Sequence, residues 1–249
     1  MKFIGIIPAR YASTRFPGKP LAILDGKPII QHVYENAAQA LDGVWIATDD
    51  ERIAQVVDGF GGNYVMTRND HQSGTDRCAE AAAYLSASIS FDVVINIQGD
   101  EPFVRAEQIE ALKACFKDPK TEIATLVKKI EKTEVLFNPN RPKVVLNAEQ
   151  NALLFSREAI PHIRGEEKEQ WLAKHTFYSH LGMYAYRKEV LQQITQLKPS
   201  VLELAESLEQ LRWLENGFVI KVGQTTFESI GIDTPEDLES ATQYLKQRQ

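Results

Sequence analysis

The chain has 249 residues, 43% hydrophobic and 25% charged, with a formal net charge of −6. Its size permits a self-sufficient core, and its acidic balance excludes the broad basic surface of a general nucleic-acid binder but not a small anion held by local cations. Cys78 and Cys115 stand far apart and read as reduced structural thiols; no stretch approaches 18 apolar residues and no charged leader precedes the first apolar run, so a cytoplasmic protein without membrane insertion is expected. Phe3 to Ile7 is a short, continuous apolar run, as in a strand covered on both faces. The loop that follows carries Arg10, Arg15 and Lys19, with no acid before Asp25. Gly26-Lys27-Pro28 is predicted to start a helix running to about Ala40. Val44 to Thr48 predicts a strand, Glu51 to Phe60 a helix with Ile53, Val56, Val57 and Phe60 on one face, and Tyr64 to Met66 a brief strand. A polar loop, Thr67 to Thr75, leads into an alanine-rich helix from Asp76 to Leu85. Phe91 to Ile97 gives the strongest strand signal and ends in Gln98-Gly99-Asp100-Glu101-Pro102. This alternation predicts an α/β protein with a doubly wound, mostly parallel sheet.

The second half has a different texture. Strands are predicted at Ile123 to Lys129, Lys143 to Leu146, Leu153 to Phe155, Gly182 to Tyr186 and Phe218 to Val222. Gly165 to Lys174 reads as a loop or short exposed helix. Glu203 to Asn216 predicts one helix, with Leu204, Leu208, Leu211 and Leu214 spaced for burial. The last helix has a cap signature: Thr234 at N-cap, Pro235 at N1 and Asp237 three residues after the cap. The pattern suggests a smaller mixed-sheet insertion from about Pro119 to Tyr186.

Three cations on one loop at the carboxyl end of a buried strand suit a polyanion, because guanidinium groups fork phosphate oxygens and open α/β sheets bind ligands at that edge. An ordinary solvated basic loop is the plainer alternative. No Gly-x-Gly-x-x-Gly follows a predicted strand, and neither Gly18-Lys19 nor Gly26-Lys27 belongs to a P-loop, so dinucleotide oxidoreductases and P-loop kinases are disfavoured. Asp100 ends the strongest strand and offers a hard oxygen ligand of the type Mg²⁺ takes; a turn aspartate is the alternative. Asp233 is a second candidate, with a helix-start role as its alternative. Ser73, Gly74 and Thr75 could bond a base or ribose, or cap a helix. His180, Tyr184 and Arg157 are polar groups beside strands, and spacing alone does not single them out.

The chain resembles the 3-deoxy-manno-octulosonate (Kdo) cytidylyltransferase family over nearly its whole length. The likeness rests on Ile7-Pro8-Ala9-Arg10-Tyr11-Ala12-Ser13-Thr14-Arg15 with Phe16-Pro17-Gly18-Lys19-Pro20-Leu21, on Asp70-His71-Gln72-Ser73-Gly74-Thr75, on Asn96-Ile97-Gln98-Gly99-Asp100-Glu101-Pro102, on Leu208-Glu209-Gln210-Leu211-Arg212 and on Asp233-Thr234-Pro235-Glu236-Asp237-Leu238. The first motif is shared with CMP-sialate synthetases; the second and third point to Kdo enzymes. Glu228-Ser229-Ile230, ahead of Gly231-Ile232-Asp233, departs from a more glycine-rich approach in relatives.

The resemblance implies a single domain of Rossmann-like nucleotidyltransferase fold that transfers CMP from CTP to Kdo for lipopolysaccharide synthesis. It implies that Arg10 and Lys19 hold the triphosphate with help from Arg15, and that Asp100 and Asp233 bind Mg²⁺. By the same likeness Ala9, Ser73, Gly74 and Arg77 surround the cytidine, and Gln98, His180, Tyr184, Glu209 and Gln210 face the sugar acid. It also implies a homodimer with the second-half sheet at its interface. A non-catalytic nucleotide-sugar binder on this scaffold would be expected to lose a cation or an aspartate from this set, and Arg10, Lys19, Asp100 and Asp233 are all present. The phosphate machinery does not separate Kdo from another sugar acid such as sialic acid.

Overall fold

The computed structural model describes residues 1–12, 15–228 and 230–246. Ser13, Thr14 and Ser229, which belong to motifs named above, lie outside the described residues. The chain forms two compact units: Met1–Ile109 with Arg187–Thr195 and Ser229–Gln249, and Glu110–Tyr186 with Gln196–Glu228. The stretch expected as an insertion, from Pro119 to Tyr186, falls within the second unit, which also takes up Gln196–Glu228.

The first unit contains β1 (Phe3–Ala9), β2 (Val44–Thr48), β3 (Tyr64–Met66) and β4 (Val93–Asn96). They pair in the order β4-β1-β2-β3, and every pairing is parallel. Ile6, Ile7, Val93, Val94 and Ile95 are fully buried, so these strands read as continuous apolar runs. Chain order reverses direction between β1 and β4, and that switch point is where such sheets form a ligand crevice. Helices Ile29–Ala38, Glu51–Gly59 and Gly74–Leu85 connect the strands. Gly26-Lys27-Pro28 does not begin a helix. Asp25 (φ 46°) and Gly26 (φ 80°) make a tight turn between Ile23–Leu24 and Lys27–Pro28, and the helix starts only at Ile29. Two positive φ values in succession are the hairpin geometry that an Asp-Gly pair favours.

The second unit contains β5 (Ile123–Lys129), β6 (Lys143–Leu146), β7 (Ala152–Ser156), β8 (Tyr178–Arg187) and β9 (Ile220–Gln224). β9 and β5 are parallel, whereas β5-β8, β8-β6 and β6-β7 are antiparallel. The helix predicted from Glu203 to Asn216 is two helices, Val201–Glu206 and Gln210–Glu215. Ser207 takes a left-handed conformation (φ 50°) and ends the first. The break rotates the faces: Leu208 and Leu211 are buried, but Leu204 is 69% exposed rather than buried. Helices Ala106–Cys115 and Lys188–Ile194 lie where the sequence pattern suggested no element.

One close approach in the first unit bears directly on Asp100. A Cβ on Gly99 would stand 2.8 Å from the backbone oxygen of Pro8 in β1. Gly99→Ala must therefore push β1 and the loop after β4 apart. It is expected to lower stability by about 1–3 kcal/mol, as overpacking does; urea unfolding checks this, and an unchanged midpoint contradicts it.

Candidate active site

The loops after β1 and β4 and the approach to the last helix enclose a polar cavity of about 240 Å³, lined by Ala9, Arg10, Arg15, Lys19, Ser73, Gly74, Arg77, Gln98, Asp100 and Asp233. All of these belong to the first unit. The loop after β1 is folded back by a bond from the Gly18 amide to the Tyr11 carbonyl (2.9 Å). Gly18 then takes φ 73°, and a short 3₁₀ turn, Lys19–Leu21, starts with Pro20 in its first positions. This turn carries the Lys19 side chain inward until only 13% of it is exposed.

The Lys19 ammonium lies 2.6 Å from Asp100 Oδ2 and 3.0 Å from Asp233 Oδ1. Arg15 reaches the same Asp233 oxygen at 3.1 Å, but its side chain is 65% exposed, so that pair contributes little. Two backbone features bring Asp233 to Asp100. The Ile232 amide donates to the Asp100 carbonyl (2.9 Å). The Asp237 carboxylate then accepts from the amides of Asp233 (3.0 Å) and Thr234 (2.9 Å), while Thr234 Oγ1 accepts from the Asp237 amide (3.2 Å). The expected Thr234 cap is therefore present. Burial alone would raise the Asp237 carboxyl, but these amide bonds hold it below its usual value.

On the other wall, Ser73 caps the helix Gly74–Leu85 in a reciprocal box with Asp76. The alternative reading of Ser73 as a cap is thus realised, and the residue still lines the cavity. Arg77 is 4% exposed. Its Nη1 is held by Asp49 (2.9 Å), Thr67 Oγ1 (2.6 Å) and the Arg68 carbonyl (3.3 Å), so that end anchors the loop before the helix. His71 Nε2 bonds the Glu80 carboxylate, which also accepts from the Arg68 amide at 3.0 Å. Burial would raise the Glu80 carboxyl; these bonds bring it below the usual range. Pro8, His71, Gln72 and Gly99 also line the cavity and had no individual role in the sequence reading, although His71 and Gln72 sit in its polar loop.

His180, Tyr184, Glu209 and Gln210 belong to the second unit. Gly182 and Met183 slip out of register in β8, so Leu181 pairs with Leu126 and Tyr184 with Thr125. Bulges of this kind re-aim side chains. Thr125 Oγ1 holds the bulge: it lies 2.9 Å from the Met183 carbonyl and 2.9 Å from His180 Nε2. The hydroxyl has one proton, so donating it to Met183 leaves His180 Nε2 as donor and Nδ1 as acceptor. The His180 and Tyr184 rings are 5.3 Å apart, and Trp213 stands edge-on to Tyr184 at 5.0 Å. Burial, with the nearby Glu209 charge, pushes the Tyr184 phenol well above its usual range. Gln210 is 4% exposed and its Nε2 has no hydrogen-bond partner among the described residues. Thr125 and Trp213 went unnoticed in the sequence; Gly182 inside a strand was the available hint of a bulge.

His180 is half-buried as a residue, and burial lowers its imidazole from the usual 6.5 to about 3. The unfolded chain therefore takes up a proton that the folded chain refuses. The contribution is complete above pH 6.5 and is lost progressively as pH falls toward 3. Between pH 6.5 and pH 5 the loss should approach about 2 kcal/mol. Urea unfolding of the wild type and His180→Gln at both pH values checks this, and the variant should lack that part of the slope.

A family model described as cytidylyltransferase matches residues 4–230. The chain is 62% identical over 251 residues to the 3-deoxy-manno-octulosonate cytidylyltransferase of Bacteroides thetaiotaomicron, with 100% of each chain covered. It is 61% identical over 252 residues to the protein of the same name from Parabacteroides distasonis, again with 100% of each covered. A solved CMP:2-keto-3-deoxy-manno-octonic acid synthetase complexed with CTP matches it with a TM-score of 0.91 at 44% identity, covering 100% of both chains. The chain belongs to the 3-deoxy-manno-octulosonate cytidylyltransferase family.

Proposed function

We propose that the chain transfers CMP from CTP to the anomeric hydroxyl of Kdo, releasing pyrophosphate and activating the sugar acid for lipopolysaccharide synthesis. The observation that carries this reading is the clamp of Lys19 on Asp100 and Asp233, in one cavity with Arg10 and Arg15, in a chain 61% identical over its full length to an enzyme of that name. In the reaction the anomeric oxygen forms a bond to the α-phosphorus and loses its proton to solvent. The bond from the α-phosphorus to the bridging oxygen breaks, and pyrophosphate leaves with that electron pair. Such transfers depend on positioning and charge neutralisation.

Arg10, Arg15 and Lys19 hold the triphosphate, with Arg10 and Lys19 also countering the charge that develops on the departing pyrophosphate. Ala9, Ser73 and Gly74 let the nucleotide approach the backbone beside β1, and Arg77 holds the neighbouring loop in place. Gln98, His180, Tyr184, Glu209 and Gln210 recognise the sugar acid; Gln210 Nε2 and His180 Nδ1 supply a donor and an acceptor.

The donor set fits Mg²⁺. Asp100 and Asp233 present carboxylate oxygens that converge on one ammonium ion. Among the described residues no group of three or more His, Cys, Asp or Glu could hold a metal by itself. Mg²⁺ commonly takes one or two carboxylates and draws the rest of its shell from water and phosphate. With Arg77 paired to Asp49, the charges of Arg10, Arg15, Lys19, Asp100 and Asp233 leave one net positive charge, far less than is needed to balance a triphosphate, so a divalent cation completes the balance. Held by Asp100 and Asp233, it would neutralise phosphate charge and make the attacking hydroxyl more acidic.

A homodimer joined through the second unit is part of the same proposal, supported by the exposed Leu153, Leu154, Val201 and Leu204 of that unit. Among the described residues no helix is long and apolar enough to cross a membrane, and dependence on CTP fits a cytoplasmic location.

Pyrophosphate release with CTP and Mg²⁺, comparing Kdo, sialic acid and no sugar, tests the reading. Release with Kdo alone is expected, and release only with sialic acid overturns the sugar assignment. Asp100→Asn should keep the fold and lose at least about a hundredfold in rate, as for a lost transition-state electrostatic group. Near-normal turnover would contradict its role.

A further inference from the structure

Lys143 in β6 has no solvent exposure. Its ammonium donates to two backbone carbonyls, those of Asn138 (3.0 Å) and Arg157. Neither carbonyl belongs to a named strand or helix. Burial lowers the Lys143 amine, against the pull of Glu158 and Glu206. Taking an ammonium out of water is costly, and an apolar side chain of similar volume would avoid that cost. What the charge adds is several donors at one point, able to gather carbonyls from stretches that have no ladder of their own.

Arg157 extends the arrangement. Its Nε donates to the Glu206 carbonyl (2.6 Å), Nη1 to the Pro139 carbonyl (3.0 Å) and Nη2 to the Ser207 carbonyl (3.3 Å). The Glu206 carboxylate in turn accepts from Ser156 Oγ (2.6 Å) and the Arg157 amide (2.9 Å). Two cations and one carboxylate thus tie Asn138–Pro139, Ser156–Arg157 and Glu206–Ser207 together. Ser207 is held at φ 50°, a conformation that a side chain disfavours and that persists where its surroundings impose it. The next residues in the chain are Leu208, Glu209 and Gln210.

We infer that Lys143 is a positioning residue: through Arg157 and the Glu206–Ser207 turn, it fixes the placement of Glu209 and Gln210 against the sugar acid. This inference rests on the proposed reading of those two residues. The network lies within the second unit, whereas the residues lining the cavity around Lys19 belong to the first, so its loss is expected to act on Glu209 and Gln210 and not on CTP binding.

The test is steady-state kinetics on the full chain with CTP, Mg²⁺ and Kdo, beside calorimetric CTP binding. Lys143→Met should raise the KM for Kdo at least about tenfold, with kcat within about threefold and the CTP dissociation constant within about twofold of wild type. A folded variant with an unchanged KM for Kdo overturns the inference. So does a parallel loss of CTP and Kdo binding, which is what a general structural role produces. Should Lys143→Met fail to fold, Glu206→Gln decides the matter: it keeps the buried cation but weakens the turn, and should raise the KM for Kdo at least about threefold with CTP binding unchanged. A normal KM there overturns the inference. A wild-type chain that releases no pyrophosphate with Kdo overturns the functional reading, and this inference with it; normal wild-type turnover with unaffected variants overturns this inference alone.

Discussion

The Lys19 ammonium is the group on which the candidate site depends. Asp100 ends β4 and Asp233 arrives from the far end of the chain, and two carboxylates repel at short range. One largely buried cation 2.6 Å and 3.0 Å from them reconciles the pair. The surrounding chain serves that contact. Gly18 takes the left-handed turn that brings Lys19 inward, Gly99 lets the loop after β4 lie against the Pro8 carbonyl, and the amide of Ile232 docks Asp233 beside Asp100. Parallel pairing of β1 with β4 sets both loops at the same edge of the sheet.

The second unit solves a different problem. Under the proposed function it presents polar groups to a sugar acid from a buried aromatic setting. A bulge at Gly182–Met183 places Tyr184 opposite Thr125, and the Thr125 hydroxyl satisfies both the bulge carbonyl and the His180 ring. Burial keeps the imidazole neutral near pH 7, so in the proposed sugar site it would offer hydrogen bonds rather than charge. Lys143 and Arg157 direct their side-chain hydrogen bonds to the backbone carbonyls of Asn138, Arg157, Glu206, Pro139 and Ser207.

Much of the first unit was legible in the sequence because its signals are local. Apolar β-branched runs gave β1, β2 and β4, a clear N-cap pattern gave Thr234 and Asp237, and the cation-rich loop pointed at the cavity that Arg10, Arg15 and Lys19 line. Failures occurred where backbone dihedrals overrode side-chain periodicity. The Asp25-Gly26 turn replaced a helix start, and Ser207 broke a helix that leucine spacing had drawn as continuous. The sugar-side residues were the least legible. The partner of His180, Thr125, is remote in sequence, and no local spacing encodes such a contact; Lys143 reaches nearer carbonyls, of Asn138 and Arg157, but backbone acceptors leave no mark in a residue pattern. Only the family resemblance singled out His180, Tyr184, Glu209 and Gln210.

The central claim is that Lys19, Asp100 and Asp233 form a triphosphate site completed by a divalent cation. Calorimetric titration of CTP into the wild type and Lys19→Met at fixed Mg²⁺ concentration tests it most directly. Loss of the ammonium leaves two carboxylates facing the phosphates, so CTP should bind at least about tenfold more weakly to the variant, as for a lost charge-assisted contact. Equal affinity in a folded Lys19→Met variant would contradict the account.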